Sequence, residues 1–290
     1  MCRDFHDADS IRLPFVMANR VPPTLLVCCL SDFVRYFAGG VLCCYTSISY
    51  TDTMKTVLIT GASSGIGAAT ARRFAAEGFN IVFSYNANQA GAAAITAELE
   101  ERGVEVLAHH ANLNDSVAAN QLVDAAQSHF GQIDVLVNNA GGYIDGDEWD
   151  GDVDVWQQTL SQNLVSVMNV SKYCAAHFLE RQAGVIVNVA SRHGLRGSHE
   201  EIAYAAAKAG VINVTHAYAT LLAPYGRANS VSPGAVNTGY WLTAPADELA
   251  ATIADKPLQR LIEPSEVAEA ILYLGTNRSA GTTGQNLVVN

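Results

Sequence analysis

The chain has 290 residues, of which 49% are hydrophobic and 16% charged, and a formal net charge of −11. This length admits one large domain or two small ones, and the composition excludes a disordered chain. The acidic balance counts against a nucleic-acid groove or an anionic membrane surface as partner.

Residues 1–53 are unlike the rest. They hold five of the six cysteines, Cys2, Cys28, Cys29, Cys43 and Cys44, with only Cys174 beyond them. The adjacent pairs lack zinc-ligand spacing and no disulfide framework is visible, so a reducing, cytoplasmic setting is expected and no metal. The apolar run at 24–30 and the uncharged run at 36–51 fall short of the roughly 18 apolar residues of a membrane span. Asp4, Asp7 and Asp9 speak against a secretory leader. A poorly ordered appendage of unknown role is expected over 1–53, and a single domain over 54–290.

From Lys55 short apolar runs alternate with helical patterns. Strands are expected at 56–60, 81–85, 104–108, 133–138, 184–190, 227–231 and 285–289. Helices are expected at 67–77, 90–102, 115–130, 153–180, 204–222 and 264–274, the first three followed by Gly78, Gly103 and Gly131. Strand and helix in alternation predict an α/β fold, a doubly wound parallel sheet covered on both faces.

Four stretches carry chemistry. Tyr204 precedes Lys208 by four residues, one helical turn, and an ammonium beside a phenol favours the phenolate. That predicts a tyrosine whose pKa of about 10 is lowered toward use as an acid/base near neutral pH. Between the first strand and helix lies Thr60-Gly61-Ala62-Ser63-Ser64-Gly65-Ile66-Gly67. Its glycines let the backbone turn sharply beside a pyrophosphate, and the helix start presents unpaired N–H groups. Asn138-Asn139-Ala140-Gly141 ends the fourth strand, where ligands of open α/β sheets lie and where asparagine amides can tie strands together. Ser191 ends the fifth strand thirteen residues before Tyr204 and can donate to a carbonyl or alcohol oxygen.

Together these stretches resemble the signature of the short-chain dehydrogenase/reductase family in its compact single-domain form, similar to its 3-oxoacyl-ACP reductase-like members. The resemblance runs from about residue 54 to the end. It extends to Asn163, to Asn229, and to Pro233-Gly234 followed by Val236 and Thr238. It implies a Rossmann-type fold of about seven strands and an NAD(P)(H)-dependent oxidoreductase acting on a carbonyl/alcohol pair. Tyr204 is then the acid/base. Lys208 lowers its pKa and binds the nicotinamide ribose, Ser191 orients the substrate oxygen, and Asn163 holds a water linking Lys208 to solvent. The cofactor contacts it implies are Gly61, Ser63, Ser64, Gly65, Ile66, Gly67, Ser84, Asn86, Asn112, Leu113, Asn139, Ala140, Gly141, Tyr204, Lys208, Pro233, Gly234, Val236 and Thr238.

The second strand ends in Ser84-Tyr85-Asn86-Ala87-Asn88, with no acid to grip a ribose 2′-hydroxyl. NADP(H) is therefore favoured over NAD(H), although no arginine or lysine stands at Ser64 or near Asn86. Asn112 takes a place where relatives carry an aspartate near the adenine. Residues 236–257 are expected to form the lid and specificity loop, giving no clear charge signature. The implied partners are a small-molecule carbonyl or alcohol and further copies of the chain, as dimer or tetramer. Relatives continue beyond the last strand with two glycines and a short tail that this sequence lacks.

Other groups point elsewhere. His109-His110 is expected to follow the third strand without companion metal ligands. His193, two residues after Ser191, is expected to be a loop histidine rather than a substrate contact. Tyr143, Trp149, Tyr240 and Trp241 line the pocket or pack under loops. The acidic run of Asp145, Asp147, Glu148, Asp150, Asp152 and Asp154 is expected to be a solvated loop and helix start. The alternatives to the oxidoreductase are a sugar-nucleotide epimerase or dehydratase and a nucleotide-binding regulatory protein on the same fold. Retention of Asn163, Ser191, Tyr204 and Lys208 counts against the last.

Overall fold

The computed structural model describes residues 54–290 in full and, of the first 53, the backbone of three strands: β1 (Val27–Leu30), β2 (Phe33–Ala38) and β3 (Val41–Thr46). These pair antiparallel in the order β1-β2-β3. What is otherwise expected of residues 1–53 lies outside the described residues. The chain divides into two units, Met1–Thr53 and Met54–Asn290.

In the second unit seven strands form one parallel sheet: β4 (Thr56–Ile59), β5 (Asn80–Tyr85), β6 (Val106–His110), β7 (Val135–Asn138), β8 (Gly184–Val189), β9 (Gly226–Pro233) and β10 (Asn286–Val289). Their order is β10-β9-β8-β7-β4-β5-β6. Every residue of β4 and β7 is buried, which explains why these strands are apolar runs without alternation. Successive side chains go to opposite faces. Val57 and Ile59 join Phe74, Phe83 and Ile271 on one side. Leu58 joins Leu136, Phe178 and Ile186 on the other.

The first face is covered by α1 (Gly65–Ala75), α2 (Gln89–Glu100) and α9 (Pro264–Gly275). The second is covered by α3 (Ser116–Phe130), α5 (Ser166–Arg181) and α7 (Ile202–Leu222). On α1 the buried positions Gly67, Ala68, Ala71, Phe74 and Ala75 recur at helical spacing. After β6 the chain returns to β7, on the far side of β4. That reversal opens a crevice above the ends of β4 and β7, where ligands of such sheets bind.

The structure differs from the sequence pattern in several places. The third strand runs two residues later, at Val106–His110, because Val104 N–H closes the end of α2 on Leu99 O. His109 and His110 thus lie in the strand, opposite Ser84 and Tyr85, and do not follow it. The expected helix at 153–180 is α4 (Val153–Leu160) and α5 separated by one π-helical turn, Ser161–Val165. Two short helices were not evident in the sequence. One is α6 (His193–Arg196); the other is α8 (Ala246–Ala254), inside the expected lid, where Gly239–Leu242 also forms a 3-10 turn.

Candidate active site

The crevice is built first from backbone. Gly61 and Gly65 have φ of +68° and +56°, the left-handed region that glycine enters without strain. A Cβ on Gly67 would overlap the Gly61 carbonyl oxygen and come within 2.6 Å of Asn139 Nδ2. Ser64 precedes α1 and makes no side-chain cap, so the first N–H groups of the helix face the crevice without a side-chain acceptor. Ile66 packs against the core beneath the loop. Such an N-terminus, with glycines keeping its approach clear, fits a dinucleotide pyrophosphate.

Neighbouring strands fix the loop. Gly61 N–H donates to Ser84 Oγ at 3.3 Å, and Asn139 Nδ2 donates to Thr60 O and Gly61 O, both at 3.0 Å. Asn139 and Ala140 N–H both donate to Thr60 Oγ1. Asn138 Nδ2 donates to Asn188 Oδ1 at 2.8 Å, so adjacent asparagines tie β7 to β8 and to the end of β4. Ser84 is buried and accepts from the loop, which makes it a support of the loop before any ligand contact. Asn86 is exposed at the strand end. Asn88 caps α2 and donates to Ser63 O at 3.3 Å.

Asn112 is exposed, and its Oδ1 accepts from Asn114 N–H. Leu113 and Val236 turn their side chains into the interior, leaving only main chain for a ligand. Pro233 ends β9, and Gly234 N–H donates to Val289 O. Thr238 Oγ1 lies 2.7 Å from where a Gly65 Cβ would be, so the segment after β9 closes over the glycine loop. Asn229 holds the approach to β10 through Thr282 O and Gln285 N–H.

On the other side of the crevice, β8 delivers Ser191 and α7 delivers Tyr204 and Lys208. Lys208 is 3% exposed; its Nζ donates to Val189 O at 3.0 Å and lies 5.6 Å from the centre of the Tyr204 ring. Ser191 Oγ accepts from His193 N–H, and its hydroxyl stands close enough to the Tyr204 phenol to act on it. Tyr204 is partly exposed as a residue, but protein crowds its hydroxyl, and burial pushes the phenol up to about 12. The Ser191 hydroxyl opposes that rise and the Glu201 carboxylate adds to it. Burial also brings Lys208 down to about 8. The phenol is thus raised and not lowered, and Lys208 is not among the groups that act on it here. Burial is the largest influence on the phenol, while the ammonium is itself disfavoured by burial and directed at a backbone carbonyl.

The π turn carries Asn163. Its amide donates to Gly142 O and Thr159 O and accepts from Gly142 N–H, fastening the loop after β7. Such a turn offsets the helix by one residue and is frequent at functional sites. These bonds occupy the Asn163 amide protons, so the amide acts here as a brace for Gly141 and Gly142. A Cβ on Gly141 would lie 2.5 Å from Asn163 Oδ1 and 3.6 Å from Lys208 Nζ.

Two residues emerge that the sequence pattern placed elsewhere. His193 pairs with Glu201 and stands edge-on to Tyr204, ring centres 6.5 Å apart. Asp147, expected in a solvated run, is fully buried. Its carboxylate accepts from Ala203 N–H at 3.0 Å and Tyr204 N–H at 2.7 Å, the first turn of α7. Hydrogen bonds to a charged group contribute about 1.5–3 kcal/mol. No local pattern reveals a partner 56 residues away. Of the aromatics, Tyr143, Trp149 and Tyr240 are exposed, and Tyr240 packs edge-on against Trp241.

A model of the family described as short chain dehydrogenase matches residues 55–248. The chain is 35% identical over 240 residues to 3beta-hydroxysteroid dehydrogenase 1 of Eggerthella lenta, covering 81% of this chain and 92% of that one. It is 36% identical over 240 residues to a 3-oxoacyl-[acyl-carrier-protein] reductase of Synechocystis sp., covering 82% and 96%. Among solved structures it is similar to a variant of actinorhodin polyketide ketoreductase with NADPH, with TM-score 0.76, 32% identity, and 82% and 97% of the two chains covered.

Proposed function

The chain belongs to the short-chain dehydrogenase family and is an NAD(P)(H)-dependent oxidoreductase of carbonyl and alcohol groups, and on that premise we propose that Tyr204 is its acid/base, with Ser191, Lys208 and Asn163 as partners. The observation that carries this reading is the convergence of Tyr204 and Ser191 on buried Lys208, whose Nζ lies 5.6 Å from the Tyr204 ring centre and donates to Val189 O at the end of β8. The bound nicotinamide supplies or takes the hydride. A phenol held up at about 12 keeps its proton at neutral pH and can give it to the carbonyl oxygen in reduction. Ser191 then donates to the same oxygen as charge develops. In oxidation the burial that protects the phenol must be offset, and Lys208 is the one ammonium at hand on α7. Asn163 holds the main chain of Gly142, next to Gly141 and the lysine. The phosphate-side contacts are the main chain of residues 61–67, Asn139–Gly141 and Thr238. The epimerase and regulatory alternatives are not favoured, since the relatives are dehydrogenases and reductases.

For the cofactor, NADP(H) is preferred over NAD(H). Support comes from the absence of a carboxylate at 84–88 and from exposed Asn86, which leaves room for a 2′-phosphate. Incubation with a panel of ketones and either NADPH or NADH, following loss of the reduced cofactor, tests both statements. No turnover with any carbonyl would reject the catalytic reading, and a strong NADH preference would reject the cofactor reading.

A homo-oligomer is the proposed assembly, supported by exposed Val165, Met168 and Leu179 along the π turn and α5, and Leu221 on α7. Light scattering that gives a monomer mass would reject it. Residues 54–290 are proposed to be the whole catalytic domain, so a chain starting at Met54 folds and retains full activity. A cytoplasmic setting fits the free, buried Cys174. Among the described residues no helix is long and apolar enough to cross a membrane.

A further inference from the structure

We infer that Asp147 is a positioning residue for the reaction, holding the first turn of α7 so that the Tyr204 hydroxyl meets the substrate oxygen; this rests on the reading of Tyr204 as acid/base. Residue Glu201 precedes α7 and makes no side-chain cap. The orphan N–H groups of that turn are taken instead by Asp147. Its Oδ1 accepts from Ala203, its Oδ2 from Tyr204, and its main-chain carbonyl from Ile202 at 2.9 Å. Three consecutive residues of the helix, the last of them Tyr204, are thus anchored to a single distant residue. A carboxylate therefore meets the positive end of the helix there.

The loop is shaped to deliver it. Gly146 has φ of +89°, and a Cβ on Gly151 would overlap the Gly146 carbonyl oxygen. Further bonds hold the same loop: Trp149 N–H donates to His199 O, ahead of α7, at 3.2 Å, and Trp156 Nε1 on α4 to Glu148 O at 3.1 Å. The loop begins at Gly142, which Asn163 holds from the π turn. Residues 142–151 therefore join the Asn163 brace to the backbone of Tyr204. Asp152, by contrast, caps only its own helix, accepting from Asp154 N–H.

The test is a double-mutant cycle with NADPH and the best ketone from the panel. Asp147→Asn is isosteric, keeps one acceptor, and sets an amide NH2 against a backbone N–H. Measured well below its melting temperature, its kcat should fall by about tenfold or more, since small misplacement is costly. NADPH affinity, read from the fluorescence of the bound cofactor, should stay within about twofold, and Asp152→Asn should leave kcat unchanged. In a Tyr204→Phe background Asp147→Asn should cost almost nothing further, because both act on one step. A kcat for Asp147→Asn within about twofold of wild type, or an equal loss in both backgrounds, overturns the inference. Should Asp147→Asn fail to fold, Gly151→Ala displaces the same loop and is read in the same cycle. Near-normal activity of Tyr204→Phe alone rejects the acid/base reading instead, so the two failures are distinguishable.

Discussion

On the β4 side of the crevice, between Thr60 and Gly67, what the protein offers a ligand is main chain: unpaired N–H groups at the start of α1 and space kept by glycine. On the β8 side it offers side chains whose charge is at stake, Tyr204 raised to about 12 and Lys208 lowered to about 8. The first surface needs no titrating group; its own backbone comes from residues adjacent in sequence, braced by Ser84 and Asn139. The second depends on burial, supplied by elements far apart in the chain. Binding and chemistry are thereby separable, and substitutions on the two sides should fail differently.

Tyr204→Phe tests that separation most severely. It keeps the ring and removes the proton, so kcat should drop by at least about 10², while NADPH affinity measured by fluorescence titration stays nearly unchanged. Loss of affinity in step with rate would mean that the two sides are not independent.

Gly67→Ala is the converse. Its Cβ meets main chain and Asn139, and overpacking of that kind costs about 1–3 kcal/mol. If the loop yields, cofactor affinity should weaken about five- to hundredfold, with less change in kcat at saturating cofactor. Gly281→Ala, which meets nothing within 4 Å, is the control.

Asn86→Asp sharpens the cofactor side alone. A carboxylate there would accept from a 2′-hydroxyl and repel a 2′-phosphate, at about 1 kcal/mol in water for a unit pair 4 Å apart and about 4 at an effective dielectric of 20. The NADPH/NADH ratio of kcat/KM should fall by about tenfold or more. An unmoved ratio would show that Asn86 does not face the ribose.

The remaining effect concerns stability against pH. Folded Lys208 gives up its proton near pH 8, whereas the unstrained value is 10.5. Between those values the unfolded chain binds more protons, so stability rises with pH; below about 8 both states hold the proton and the burial cost is fully present. Lys208→Met should remove that rise, seen as a flatter urea midpoint from pH 8 to 10.5. Parallel curves for the two proteins would show that Lys208 is not desolvated.

The sequence by itself determined the parallel sheet, the glycine loop, the asparagine ties and the positions of Ser191, Tyr204 and Lys208. Each is signalled by a short local pattern: apolar runs bounded by glycine, paired asparagines at a strand end, and a tyrosine one turn from a lysine. Tertiary structure alone decided the rest. Asp147 reads as one acid among six until the fold sets it under Ala203 and Tyr204, and a period-3.6 pattern does not show that Asn163 sits in a π turn. Most of all, the Tyr204–Lys208 spacing suggests attraction and a lowered phenol. Burial reverses that sign, because desolvation depends on everything packed around a charge and not on its spacing along the chain.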